Sequence, residues 1–169
     1  MKYKINDMVH YGTDGVCCIT GIVEKPFRDN MVKYYVLSPV FNSTSTIFVP
    51  MDNEVLVSER MRYALSRDEV NGIIADISTE ETIWIDNESE RKLRYKEIIQ
   101  SGNMREMIKL IKTLVTHQKK QREIGKKMHI ADERFLKDAE RLINNEFAAA
   151  LGISPTDVFD YISNENEDL

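Results

Sequence analysis

At 169 residues, 42% of them hydrophobic and 30% charged, the chain is long enough to bury a real core, as one domain or as two small ones. It contains no run of about 18 apolar residues, which excludes a membrane-spanning helix, and the start Met1-Lys2-Tyr3-Lys4-Ile5-Asn6-Asp7 lacks the apolar stretch of a signal peptide, so a soluble cytoplasmic protein is expected. The formal net charge of −5 argues against a free-standing nucleic-acid binder, yet it averages over segments of opposite sign.

From Ile5 to about Val57 the chain reads as short strands broken by turns. Met8-Val9-His10-Tyr11 leads into Gly12-Thr13-Asp14-Gly15, where glycines are available for positive φ, and then into Val16 to Val23. Lys25 to Asn30 reads as a loop. Met31 to Leu37 is rich in β-branched and aromatic residues, and Ser45-Thr46-Ile47-Phe48-Val49 is a further strand stopped by Pro50. Four or five strands in this length make a small bent sheet or SH3-like barrel whose edge strands are open to another chain. Cys17 and Cys18 are adjacent in a strand, where neighbours face opposite sides, so they are poorly placed to pair or to share a metal.

After Met61 the period becomes helical. Ser66 with Glu69 is a capping box ahead of Val70, Ile73, Ile74 and Ile77. Asn87 with Glu90 starts a second helix carrying Tyr95, Ile98 and Ile99 and stopping at Gly102. Asn103 with Glu106 starts a third, whose Met104, Met107, Ile108, Ile111, Leu114 and Val115 share one face while Arg105, Lys109 and Lys112 line another. A fourth turns Phe135, Leu136, Ala139, Leu142, Ile143, Phe147, Ala150 and Leu151 inward and ends near Gly152. Ser154-Pro155 opens a short fifth, and residues 164 to 169 are expected to fray. The expected fold is therefore α+β, with a β domain over residues 1–60 and a compact helical bundle over 61–169.

The helical half holds the charge anomaly. Arg91 to Lys127 contains twelve basic residues against three acidic ones, a local balance of +9. Such a patch attracts polyanions whatever the total charge. The single tryptophan, Trp84, stands just before it and reads either as a stacking or wedge group for nucleic acid or as a core residue flanked by Ile83 and Ile85. His10, His117 and His129 fall in separate segments without a spaced ligand set, so no metal is expected. There is no phosphate loop, nucleophile elbow or dinucleotide fingerprint, so neither a cofactor nor an enzyme activity is expected.

Taken in order, Asn6-Asp7-Met8-Val9-His10-Tyr11, Gly12-Thr13-Asp14-Gly15-Val16, Tyr34-Tyr35-Val36-Leu37, Ile47-Phe48-Val49-Pro50, Met61-Arg62, Leu65-Ser66, Trp84, Tyr95-Lys96, Ser101-Gly102-Asn103 and Asp132-Glu133-Arg134-Phe135 with Ala139-Glu140 resemble the CarD family of bacterial transcription regulators, also called CdnL-like. The resemblance implies a Tudor-like N-terminal domain, shared with the transcription-repair coupling factor, that docks on the β subunit of RNA polymerase. It also implies a helical domain that meets promoter DNA at the upstream edge of the bubble, with Trp84 as a minor-groove wedge. The expected DNA contacts are Trp84, Arg91, Lys92, Arg94, Lys96, Lys119 and Lys120, weak and largely indifferent to sequence. The expected polymerase contacts are Lys25, Thr46, Ile47, Phe48 and Val49. A monomer, located at the nucleoid through the polymerase, is implied.

The chain departs from the family pattern in two places. Ile85 to Glu90 separate Trp84 from the first basic residue, and Phe48 stands where some members carry an arginine, which leaves backbone pairing and apolar contact as the adhesive. The competing reading is a protein-interaction adaptor whose helices pack without touching DNA.

Overall fold

A computed structural model describes residues 2–42 and 44–165. Five strands form one antiparallel sheet in the order β4-β3-β2-β1-β5. They are β1 (Met8–Tyr11), β2 (Gly15–Phe27), β3 (Asn30–Pro39), β4 (Ile47–Pro50) and β5 (Met61–Tyr63). Alternate side chains turn Val9, Cys17, Ile19, Tyr35, Leu37 and Val49 into a core closed by Tyr3, Val57 and Met61. Burial pushes the Cys17 thiol up to about 12, which makes it an inert core residue.

The expected loop at Lys25 to Asn30 is instead the end of a long hairpin, with Lys25 opposite Val32 and Phe27 opposite Asn30. Pro26 is tolerated in it because β1 pairs only with Gly15 to Cys18, so that stretch of β2 has no neighbour on its other side. Two short elements lie where no pattern announced them. α1 (Glu54–Arg60) is capped by Asn53, whose side chain accepts from the Leu56 N–H at 3.0 Å. β5 then pairs with β1, which carries the sheet to Tyr63, three residues into the segment expected to be helical.

The remaining helices are α2 (Arg67–Asp76), α3 (Glu88–Ser101), α4 (Met104–Glu123), α5 (Ile130–Leu151) and α6 (Val158–Glu165). Their starts follow the capping residues. Ser66 and Glu69 form the reciprocal box, and Asn87 and Asn103 accept from the N–H groups of Glu90 and Glu106. Gly102 and Gly152 end α3 and α5 with φ of 69°. The core joins Val70, Ile74, Tyr95, Ile98, Met107, Leu114, Leu142 and Phe147. Leu110, absent from the expected α4 stripe, is fully buried, while Ile111 and Val115 are only partly so. Of the tail expected to fray, Asn164 and Glu165 close α6, and residues 166–169 lie outside the described residues.

Sheet and helices meet at a buried carboxylate. Register places His10 and Arg62 opposite each other on β1 and β5, and both reach Glu146 of α5, which has no solvent exposure. Arg62 donates to both carboxylate oxygens, at 2.6 and 2.9 Å, His10 Nδ1 lies 2.9 Å from Oε2, and the Leu65 N–H donates to Oε1 at 3.0 Å. Arg62 also donates through Nη2 and Nε to the Gly102 carbonyl, at 2.6 and 3.1 Å. A side chain at Gly102 would be excluded twice, by its φ and by the His10 ring, which would lie 2.8 Å from a Cβ there.

Burial alone would raise the Glu146 carboxyl, but the hydrogen bonds and charges of His10 and Arg62 overcome it and hold the group at about 2, below its ordinary 4.5. A depressed carboxyl stabilises the fold fully above about 4.5, and that contribution is lost as pH falls through about 2. Glu146→Gln is therefore expected to cost roughly 3 kcal/mol or more at neutral pH by leaving Arg62 without its counter-charge. In denaturant titrations at several pH values, the difference between wild type and variant should shrink over that acid window.

Candidate nucleic-acid interface

The basic stretch divides into two parts once its partners are located. Lys92 pairs with Glu88, and Arg94 with Glu97 and Glu106. Arg105 pairs with Asp76 and Glu80, and Lys109 with Glu106 and Glu80. Lys112 donates to the carbonyls of Ile77, Ser78 and Glu80. The first half is thus largely neutralised, by Asp76, Glu80 and Glu88 of the acidic segment that precedes it and by its own Glu97 and Glu106, although Lys92 and Arg94 keep about half of their side-chain surface.

Arg91 is the clear correction. Its place in the basic run predicts a phosphate contact, but it is 3% exposed. Its Nε and Nη2 donate to the two oxygens of buried Asp132, both at 3.1 Å, and its Nη1 donates to the carbonyls of Ile85 and Asp86. The fork geometry satisfies the guanidinium internally and leaves none of it for solvent anions.

The second half is different. Lys119, Lys120, Arg122, Lys126 and Lys127, on the last turns of α4 and the loop to α5, are exposed, and none has an ion pair or a side-chain hydrogen bond among the described residues. Glu123 is the sole acid within this run. Lys96 on α3 is likewise exposed and unpaired among the described residues.

Trp84 sits beside this second group rather than beside the basic residues that follow it in sequence. The extended segment before α3 packs Ile83 and Ile85 against the helical core. It is tied down by the Ile83 N–H to Thr113 Oγ1 at 2.8 Å and by the Tyr95 hydroxyl to the Ile83 carbonyl at 3.2 Å. Alternation then turns Trp84 outward, where it keeps 37% of its surface. Its ring stacks on His117 of α4, with centroids 3.8 Å apart and planes 17° from parallel. The Arg91 guanidinium lies 4.6 Å from the ring, and the indole N–H donates to Asp86 at 2.9 Å. Two open depressions flank the ring. One, of about 220 Å³, reaches Lys120, and the other, of about 400 Å³, reaches Gln121, Lys126 and Lys127. An apolar ring and unpaired cations therefore share one face, the composition that suits a nucleic-acid backbone with a distorted step beside it.

Arg122, Lys126 and Lys127 enter the basic balance of the sequence without standing out as contacts, and His117 carries no signal there. Burial pushes the His117 imidazole below its ordinary value. Asp132 pulls the other way, and Arg91, His129 and Lys120 add to the fall. The ring that meets Trp84 at neutral pH is thus the uncharged one.

At the opposite end, β4 is a sheet edge. The Met51 N–H donates to the Lys33 carbonyl at 2.8 Å. With antiparallel alternation this turns the backbone groups of Ile47 and Val49 toward β3 and those of Phe48 outward. Phe48 is 41% exposed, with the Lys25 ammonium 3.4 Å from its ring and Tyr34 edge-on at 6.4 Å. Thr46 is exposed and Ile47 is half-buried on the sheet core. Val49 corrects another expectation, since its side chain is wholly in the core and cannot touch a partner. Phe27, Met31 and Val55 extend the exposed apolar surface along the hairpin and α1.

Two family models match the chain. The one described as CarD-like/TRCF RID domain covers residues 3–61, which include β4, and the one described as CarD, C-terminal domain covers residues 72–163, more than half of the chain, with Trp84 and the unpaired cations inside it. Comparison with curated proteins gives no match.

Because Trp84 is the only tryptophan and His117 lies against it, intrinsic fluorescence reports on this contact. Acidification should quench the emission as the imidazole gains its proton. The midpoint should lie below the ordinary histidine value of 6.5, as expected for a depressed group. In His117→Phe that transition should disappear.

Proposed function

The chain belongs to the CarD family, whose members are non-enzymatic, transcription-related regulators that interact with RNA polymerase, and on that premise we propose that it docks through the β4 edge on the polymerase β subunit and stabilises the open promoter complex through Trp84. The observation that carries this reading is the shared face of Trp84 and three unpaired cations, Lys120, Lys126 and Lys127, joined through a buried salt-bridge network to a sheet with an exposed edge. Docking would add a strand beside β4, with Phe48 supplying both free backbone groups and an apolar contact.

The two kinds of group at the DNA face do different work in the proposal. Lysines contact phosphates, position the duplex and carry little sequence information. A wedge costs a few kcal/mol of lost stacking, least where the duplex is already distorted, as at a bubble edge. A net preference of about 1.4 kcal/mol for the open state shifts the closed-to-open ratio about tenfold. An acidic chain with one basic patch binds free DNA weakly, and attachment to the polymerase supplies the missing effective concentration. The chain acts here as a monomer in the cytoplasm, wherever the polymerase meets the nucleoid, with no membrane step. Among the described residues no helix is long and apolar enough to cross a membrane.

Trp84→Ala is expected to shorten the lifetime of the open complex roughly tenfold with polymerase affinity unchanged. An unchanged lifetime with normal polymerase binding would instead favour the adaptor reading. Replacing Lys119, Lys120, Lys126 and Lys127 by Gln should weaken promoter-DNA binding evenly across sequences. The same change should flatten the salt dependence by about one unit of log-log slope for each phosphate that is no longer neutralised. Phe48→Asp should abolish retention on core polymerase in a pull-down while the fold, read by circular dichroism, is kept.

A further inference from the structure

Arg91 and His117 have a common neighbour. Arg91 and Asp132 form a buried ion pair, an arrangement that contributes little net stability against apolar residues of the same shape. What this one does is local. The fork facing Asp132 leaves Nη1 to hold the carbonyls of Ile85 and Asp86, the two residues after Trp84, and sets the guanidinium against the indole. Asp86, fixed in turn, takes the indole N–H, and His117 of α4 stacks on the ring. Contacts from Asp86, from α3 and from α4, the α3 one braced by Asp132 of α5, thus converge on one side chain that is still 37% exposed.

We propose that His117 and Arg91 are positioning residues that hold Trp84 as a preset wedge, so that the ring meets DNA already oriented and is not drawn out of a mobile segment on binding. The inference rests on the reading of Trp84 as the wedge. With its N–H satisfied by Asp86 and its ring stacked on His117, Trp84 inserts as a rigid apolar body and donates no hydrogen bond to a base. Holding the ring beforehand removes the ordering penalty that a free aromatic side chain incurs on binding.

Variants of the two seat residues, compared with Trp84→Ala, test this. His117→Ala should shorten the open-complex lifetime roughly three- to tenfold, the equivalent of losing the preorganisation of one side chain, with the affinity for free duplex DNA unchanged because the lysines remain. His117→Phe, which keeps a flat ring at the stack, should restore the lifetime. Arg91→Lys keeps the charge without the fork and should behave like His117→Ala. Time-resolved fluorescence anisotropy supplies a readout of the ring itself. The indole should rotate with the whole protein in wild type and in His117→Phe, and show a fast local component in His117→Ala and Arg91→Lys. If Trp84→Ala shortens the lifetime but His117→Ala leaves it unchanged, the seat is overturned and the wedge stands. If Trp84→Ala itself is neutral, the wedge reading falls and the seat loses its function with it. A fast anisotropy component already present in wild type would refute the preset ring directly.

Discussion

One buried carboxylate sets the geometry of the whole molecule. Glu146 has no solvent exposure, and it receives donors from β1, from β5 and from the segment that leads into α2. Apolar residues of similar volume would stabilise the same junction at least as well, but they would not fix an angle. The two-point bond from Arg62 and its grip on the Gly102 carbonyl allow one orientation of sheet against helices. The β4 edge and the Trp84 face therefore belong to one body. In the proposed function this is what lets a contact at one end deliver the other end to a defined place on DNA.

The acidity of the chain also has a local effect. Asp76, Glu80, Glu88, Glu97 and Glu106 occupy Lys92, Arg94, Arg105 and Lys109 in pairs that are mostly solvent-exposed. Such pairs contribute little to stability, but they remove those cations from the field seen by an approaching polyanion. What remains is Lys96 and the cluster at the end of α4. A basic balance of +9 spread over 37 residues of sequence thus leaves few free cations, of which Lys120, Lys126 and Lys127 lie beside Trp84, so counterion release there is limited to a few phosphates.

Features encoded locally were legible in the sequence. The caps at Ser66, Asn87 and Asn103 depend on residues three apart, and the helices begin where they indicate. Expecting both Phe48 and Val49 to meet a partner overlooked strand alternation, which puts Val49 on the core side. Short elements were not legible, since α1 and the three-residue β5 are too brief to display a period. The fate of Arg91 was not legible either. It lies in a run of basic residues like any other member, and its burial is decided by Asp132, 41 residues away on another helix. The six residues after Trp84 suggested that ring and cations are separate. They are brought together because the extended segment lays the ring on α4, whose far end holds the lysines.

That rearrangement bears on how a protein of this kind biases a promoter. A ligand shifts an equilibrium between closed and open DNA only through contacts that differ between the two states. Phosphates are present in both, so the lysines raise occupancy of either state almost equally and shift the balance little. An unstacked step exists mainly in the open state, and only a group that fills it discriminates. In the proposed mechanism affinity therefore belongs to the β4 edge and the unpaired cations, while the sign and size of the bias belong to a single ring. A ring with that task benefits from rigidity more than from reach, because freedom of the side chain would dilute the one differential contact the molecule makes. A buried Arg91–Asp132 pair behind an exposed tryptophan, otherwise a costly way to pack a helix junction, is consistent with that demand.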